Sequence, residues 1–223
     1  MLTDNPDLVT VVGIGAGGWS DLGRTGREAL ESSEIILGSD RQLALLPGTV
    51  TGERLSWPSP LLAALPGILD AHRGTVVAVL ASGDPMFHGI GATIVRLLGA
   101  DRVRVLPHPS SASLAAARMG WPLATTDVVS LVTADPAVLH RHLNPGRRML
   151  VLARDAATPA TVAALLTAAG FGAARITVLE QLGGPGERIA SGPAAPWSRP
   201  PGDPLNVIAV ECGDGPARIS GSG

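Results

Sequence analysis

The sequence predicts an α/β protein made of two unlike α/β domains, the first built on a parallel sheet and the second on a mixed one. Three observations carry this expectation. Runs rich in Val, Ile and Leu recur through the first half at VTVVGIG, EIILG, TVVAVLASG and VRVLP, with helical stretches between them. Such near-continuous apolar strands belong to parallel sheets covered on both faces. A second series, DVVSLVTA, RRMLVLA, ARITVLEQL and NVIAVEC, follows with PAVLHRHL and TPATVAALLTAAG interleaved as helices. Finally, RIASG comes directly after GGPGE, so a short strand reached by a tight turn, and hence antiparallel pairing, is expected in the second sheet. The domains are set at residues 1–107 and 108–212, with 213–223 as a linker or tail.

The elements follow in order. The strand LVTVV runs into VVGIGAGGWSDL at residues 11–22, where Gly13, Gly15 and Gly18 spell G-x-G-x-x-G. A strand that turns through glycines into a helix, here LGRTGREALESSE, aims backbone N–H groups at a phosphate. EIILG reads as the second strand, and Asp40 just beyond it stands where a dinucleotide site carries its ribose-binding acid. One reading is therefore an NAD(P)-linked oxidoreductase using Gly13, Gly15, Gly18 and Asp40. Arg24 and Arg27 are assigned to the exposed face of the first helix. VVAVLASGDPMFHGIG, residues 76–91, leaves a buried strand through Gly83-Asp84-Pro85 and enters the helix GIGATIVRLLG. Glycine turns the chain and lets a ligand approach the backbone, while Asp84 suits either a helix cap or a cationic or hydroxyl-bearing ligand. In LPHPSSASLAAARMGWP, residues 106–122, Ser110 and Ser111 open an amphipathic helix, as N-caps or as partners of a polar small molecule. Further on, Thr158 is the expected N-cap of TPATVAALLTAAG, Pro159 its first helical residue and Gly170 its end. SGPAAPWSRPPGDP, residues 191–204, is too rich in proline for regular structure and reads as a surface loop.

Composition excludes several chemistries. The 17 basic residues are all arginine and tyrosine is absent, which removes lysine nucleophiles, Schiff bases, the Walker lysine and the Tyr-Lys pair of short-chain dehydrogenases. A net charge of -2 with two phenylalanines and four tryptophans offers neither a basic field nor a stacking platform for nucleic acid. Cys212 is the single cysteine, so neither an internal disulfide nor a multi-cysteine metal site is expected, and a reducing cytoplasm fits. With no long apolar run and no leader pattern, a cytoplasmic protein without membrane spans is expected.

The succession GIGAGG, LASGDPMFHGIG, LPHPSSASLAAARMGWP, the TPATVAALL helix and VLEQLGGPGERI, from about residue 9 to 211, resembles the tetrapyrrole (corrin/porphyrin) methylase family, in its branch methylating C5 of a precorrin. The resemblance implies two α/β domains with a ligand cleft between them, S-adenosylmethionine as methyl donor, a precorrin macrocycle as substrate, and a homodimer. It gives Gly83, Asp84, Pro85, Phe87, Ser110, Ser111 and Leu152 to the donor. It gives the first glycine-rich loop, with Gly13, Gly15 and Gly17, to the tetrapyrrole, which turns that loop away from NAD. Arg41, His108 and Arg118 lie near these loops and suit the substrate's carboxylates, and His88 is the candidate proton acceptor. Two departures stand out: His108 and Pro109 occupy places that are usually glycine and an aliphatic residue, and Ala16 and Gly18 replace a usual proline and acid. The resemblance also implies a separate CbiT-type methyltransferase domain or partner for C15. A non-catalytic tetrapyrrole-binding module remains the further alternative.

Overall fold

The computed structural model describes residues 8–58 and 61–215. Backbone contacts divide the chain into two compact units, Met1–Ser110 and Ser111–Gly223, the division falling just beyond the expected 107/108.

In the first unit the order is β1 (Val9–Ile14), α1 (Arg24–Glu31), β2 (Ile35–Gly38), α2 (Asp40–Ala44), β3 (Glu53–Ser56), α3 (Leu61–Ala71), β4 (Val77–Ser82), α4 (Ile90–Leu98) and β5 (Val103–Leu106). All pairings are parallel, and the sheet order is β3-β2-β4-β1-β5. Successive strand residues point to opposite faces, and both faces are covered. Val9, Val11, Leu37, Val77 and Val79 pack with Leu65, Leu69 and Ile94 on one side, while Val12, Ile14, Ile36 and Leu80 pack with Leu30, Leu43 and Leu46 on the other. That double burial is why the strands read as unbroken apolar runs.

The second unit contains α5 (Ser111–Met119), β6 (Asp127–Ser130), β7 (Arg148–Leu152), α6 (Thr158–Ala168), β8 (Arg175–Glu180), β9 (Arg188–Pro193) and β10 (Asn206–Glu211). Its sheet order is β6-β7-β10-β8-β9, with β6 and β7 parallel and the other pairings antiparallel, so the expected mixed sheet is observed. Val129, Met149, Val151, Ile176 and Ile208 pack against Val162, Ala163 and Leu166 of α6. On the opposite face Leu150, Leu179, Val207 and Ala209 pack against Ala112, Ala115 and Ala116 of α5.

Several local expectations are corrected. PAVLHRHL forms a 3-10 helix over Pro136–His142, capped by the Asp135 carboxylate, which accepts from the Ala137 N–H at 2.8 Å. Thr158 is the first residue of α6 and not its cap. Asp155 Oδ1 takes that role, accepting from the Ala157 and Thr158 amides at 2.9 Å each, and the Thr158 hydroxyl bonds back to Asp155. Gly170 ends the helix as expected, at φ 83°. β9 runs on to Pro193, so the proline-rich loop starts later, and Ala194 within it is buried. Residues 213–215 belong to the second unit: the Gly146 amide donates to the Gly213 carbonyl at 2.6 Å. The remainder of the expected tail, 216–223, lies outside the described residues. Among the described residues no helix is long and apolar enough to cross a membrane.

Candidate functional site

Ligands of open parallel sheets gather at the carboxyl ends of the strands, and in the first unit that edge holds most of the residues singled out above. β1 lies between β4 and β5, so the loops leaving these three strands meet. The Gly83 amide donates to the Ile14 carbonyl at 3.0 Å. A Cβ on Gly13 would run into the Gly83 carbonyl oxygen and stand 2.7 Å from the His108 backbone nitrogen. A Cβ on Gly15 would stand 2.7 Å from His108 Cε1 and 3.3 Å from both ring nitrogens. Gly13 is therefore required by close approach of the β4 and β5 loops, whereas at Gly15 only the His108 ring stands in the way. Gly18 has a different task, a left-handed turn at φ 66° facing Leu45.

The Gly83-Asp84-Pro85 bend is fixed by its own backbone. Gly83 is left-handed at φ 60°. Asp84 Oδ1 accepts from the Met86 amide at 2.9 Å, the Asp84 carbonyl accepts from Phe87 N–H at 3.1 Å, and the Pro85 carbonyl from Gly91 N–H at 3.0 Å. The loop thus folds back on the start of α4 and leaves Met86 and Phe87 exposed at 48% and 37%. His88 is exposed and left-handed at φ 55°, its ring edge-on to Phe87 with centroids 4.8 Å apart. A non-glycine residue held there costs about 1–3 kcal/mol and concentrates at functional loops. From the β2 end, Arg41 Nη2 and Gln42 Nε2 donate to the Ser82 hydroxyl at 3.2 and 3.1 Å, tying the α2 loop to the end of β4. Gln42 also closes a capping box with Ser39.

The dinucleotide reading fails on strand order. β4 separates β1 from β2, whereas that site needs the glycine turn and the acid on neighbouring strands. Asp40 instead accepts from the Ser56 hydroxyl at 2.6 Å, and the glycine turn opens a 3-10 turn, Gly18–Asp21, with α1 starting only at Arg24. Arg27 is likewise not a free surface charge: it is half-buried, its guanidinium lies 5.7 Å from the centre of the Trp19 ring, and Nη2 donates to the Ser20 carbonyl at 2.7 Å.

Of the two serines, Ser110 is buried at the end of the first unit and Ser111 begins α5 in the second. Leu152 ends β7, is buried, and its carbonyl accepts from the Leu131 amide at 2.9 Å. β6, β7 and β8 run in one direction, so their carboxyl ends form one edge of the second sheet. Asn206 organises that edge: Nδ2 donates to the Asp203 carbonyl at 2.8 Å and the Asp155 carbonyl at 3.2 Å. Gln181, left-handed at φ 50°, donates from Nε2 to Asp203 Oδ2 at 2.9 Å. Hydrogen bonding from the Thr158 hydroxyl, then from the Ala157 and Thr158 amides, holds the Asp155 carboxyl below its ordinary range against the opposing effect of burial.

Arg118 is held by a partner in its own unit. It grips Glu187 through two bonds, Nε to Oε1 at 2.5 Å and Nη2 to Oε2 at 2.9 Å, and Glu187 also accepts from the Gly183 amide at 2.8 Å. The Arg118 guanidinium and the Gly183 amide lower the Glu187 pKa, and Glu187 in turn raises that of Arg118. Arg118 therefore ties the Gly183–Glu187 turn to α5. Asn206, Gln42 and Glu187 were missed from sequence; of these only the S-x-x-Q box at Ser39–Gln42 carried a local signal.

Residues 8–196 match the model of the Tetrapyrrole (Corrin/Porphyrin) Methylases. The chain is 50% identical over 206 residues to precorrin-6Y C(5,15)-methyltransferase [decarboxylating] of Mycobacterium tuberculosis, covering 91% of this chain and 52% of the relative. It thus spans about half the length of that relative. It is 30% identical over 182 residues to cobalt-precorrin-7 C(5)-methyltransferase of Salmonella typhimurium, covering 82% of this chain and 89% of the relative. The crystal structure of a cobalamin biosynthesis precorrin-6Y methylase from Archaeoglobus fulgidus superposes with a TM-score of 0.69 at 27% identity, over 92% of this chain and 98% of that one. With a family match spanning most of its length and a fold to agree, this chain belongs to the tetrapyrrole (corrin/porphyrin) methylase family.

Proposed function

We propose that this chain is an S-adenosylmethionine-dependent C-methyltransferase of cobalamin (corrin) biosynthesis, methylating C5 of a precorrin macrocycle at the precorrin-6Y/6B or precorrin-7 stage. The observation that carries the reading is the meeting of the Gly13–Gly18, Gly83–His88 and His108 loops at one sheet edge, in a chain whose relatives are named for C5 methylation. The donor supplies an activated methyl group on a sulfonium sulfur. The macrocycle supplies an electron-rich carbon, so no covalent protein catalyst is needed and the chain's work is alignment and exclusion of water. In this reading Gly83, Asp84, Pro85, Phe87, Ser110, Ser111 and Leu152 hold the donor. The tight bend at Gly83–Pro85 fits that task, because its glycine brings backbone polar groups within reach of a ligand. Gly13, Gly15, Gly17, Arg41 and His108 face the macrocycle, with Arg41 retaining exposed donors for a carboxylate. A cytoplasmic homodimer, acting beside a separate C15-methylating domain or partner, completes the proposal.

Isothermal titration with S-adenosylhomocysteine and with NADH tests the reading, followed by transfer of a 13C methyl group from S-adenosylmethionine to precorrin-6Y or precorrin-7. Binding of the homocysteine compound and a new C5 methyl resonance are expected. Binding of NADH alone overturns the proposal, and ligand affinity without methylation leaves only a binding module. Asp84→Ala should weaken donor binding at least tenfold while circular dichroism stays unchanged; unaltered affinity refutes the role given to Asp84.

A further inference from the structure

The methyl transfer leaves one chemical task open, removal of the hydrogen from the carbon that has just received the methyl group, and the two histidines at the sheet edge are differently equipped for it. His88 lies in an exposed loop, left-handed, with its ring against Phe87. His108 is half-buried, and its imidazole covers the α-carbon of Gly15, where any side chain would displace it. Its Nδ1 stands 3.2 Å from the Pro109 carbonyl oxygen. A carbonyl only accepts, so this bond puts the proton on Nδ1 and leaves the Nε2 lone pair as the acceptor. The carboxylates of this edge are engaged elsewhere, Asp84 with the Met86 amide and Asp40 with the Ser56 hydroxyl, while Arg41 Nη2 donates to the Ser82 hydroxyl.

Resting on the methyltransferase reading above, the geometry points to His108, and not His88, as the catalytic base of the reaction. The methyl–sulfur bond breaks as the new carbon–carbon bond forms, and the donor leaves as a neutral thioether. The macrocycle, now carrying the positive charge, gives its C5 proton to Nε2 of His108. The electron pair of that C–H bond returns to the ring π system, and the imidazolium passes its proton to water. Gly15 and the Pro109 carbonyl orient the ring.

The test compares single-turnover formation of the deprotonated, C5-methylated macrocycle by the parent, His108→Gln and His88→Gln, with S-adenosylmethionine and the precorrin, against S-adenosylhomocysteine affinity by calorimetry. General-base removal is worth about 10²- to 10⁴-fold. H108Q should fall by that factor with homocysteine-compound affinity within about threefold, a tenfold change already corresponding to about 1.4 kcal/mol. A macrocycle deuterated at C5 should then show a primary isotope effect larger in H108Q than in the parent, which a merely structural role would not produce. The parent rate should drop on the acid side with the slope of one protonation, and added imidazole should restore the rate of His108→Ala. H108Q turning over within threefold of the parent, or H88Q taking the loss instead, overturns the assignment. Where H108Q fails to bind the homocysteine compound, absence of both the acid limb and imidazole rescue overturns it equally. Failure of the methyltransferase reading is distinct, since the parent itself then transfers no methyl group.

Discussion

Gly13→Ala should destabilise the first unit through backbone collision, whereas Gly15→Ala two residues away should not. The Cβ added at Gly13 meets the Gly83 carbonyl oxygen, the His108 amide nitrogen at 2.7 Å and His108 Cβ at 3.1 Å. Two of these are backbone atoms, held by the β1–β4 and β1–β5 pairings on either side, so relief requires strand ends to move. Overpacking of this kind costs about 1–3 kcal/mol, and 2 kcal/mol corresponds to about a thirtyfold shift in the folding equilibrium. At Gly15 all three nearest atoms belong to the His108 ring, the closest at 2.7 Å, and a ring can swing aside, a torsion about 30° off its rotamer costing about 0.5–1.5 kcal/mol. Hydrogen exchange at the Gly83 amide, bonded to the Ile14 carbonyl, reads the first unit separately from the second. Protection should fall by one to two orders of magnitude, roughly the Boltzmann equivalent of that cost, in G13A and far less in G15A, whose loss is in methyl transfer. Equal protection in G13A and the parent would refute the claim that these three loops leave no room for a side chain.

Glu187→Gln should lower stability at neutral pH but not in acid. The folded pKa of Glu187 is depressed, so its contribution is complete above the ordinary carboxylate range and fades as pH falls through the folded value; a parent–variant gap that is the same at pH 7 and at about pH 3 contradicts this. Leu150→Ala, at a side chain with no exposed surface on the α5 face, should cost about 2–5 kcal/mol in urea unfolding. Asn206→Ala strips the amide bonds to the Asp155 and Asp203 carbonyls and should cost about 1–3 kcal/mol, with faster proteolysis in the 153–158 and 203–205 loops; unchanged cleavage there would speak against Asn206 as their tie.

The strands were legible where burial was two-sided. β1, β2, β4 and β5 announced themselves because both faces demand apolar residues, whereas β3, with the sequence ERLS and three exposed residues, carries no such signature at the sheet edge. α3 was hidden by Pro66 and Gly67 inside the helix, both of which read as breakers. At the site, the Gly-Asp-Pro bend was visible as turn chemistry, but its meaning depended on strand order. G-x-G-x-x-G and Asp40 match a dinucleotide site until β4 is inserted between their strands. The His108–Gly15 approach and the Arg118–Glu187 pair join residues far apart in the chain, and no local pattern encodes such meetings. Thr158 illustrates the opposite error: a favourable capping residue whose hydroxyl was engaged by Asp155.

The position of β10 sets an order for the birth of the protein. It comes after β6 to β9 in the chain, yet it lies inside the second sheet, between β7 and β8. On the ribosome the first unit can close its sheet once residue 106 has emerged, because all its strands precede that point. Before Asn206–Glu211 emerges, the second unit holds only two separate strand pairs, β6-β7 and β8-β9, and an isolated pair is marginal in water. A nascent chain halted before residue 206 should therefore carry a closed first unit and a second unit that chaperones still see.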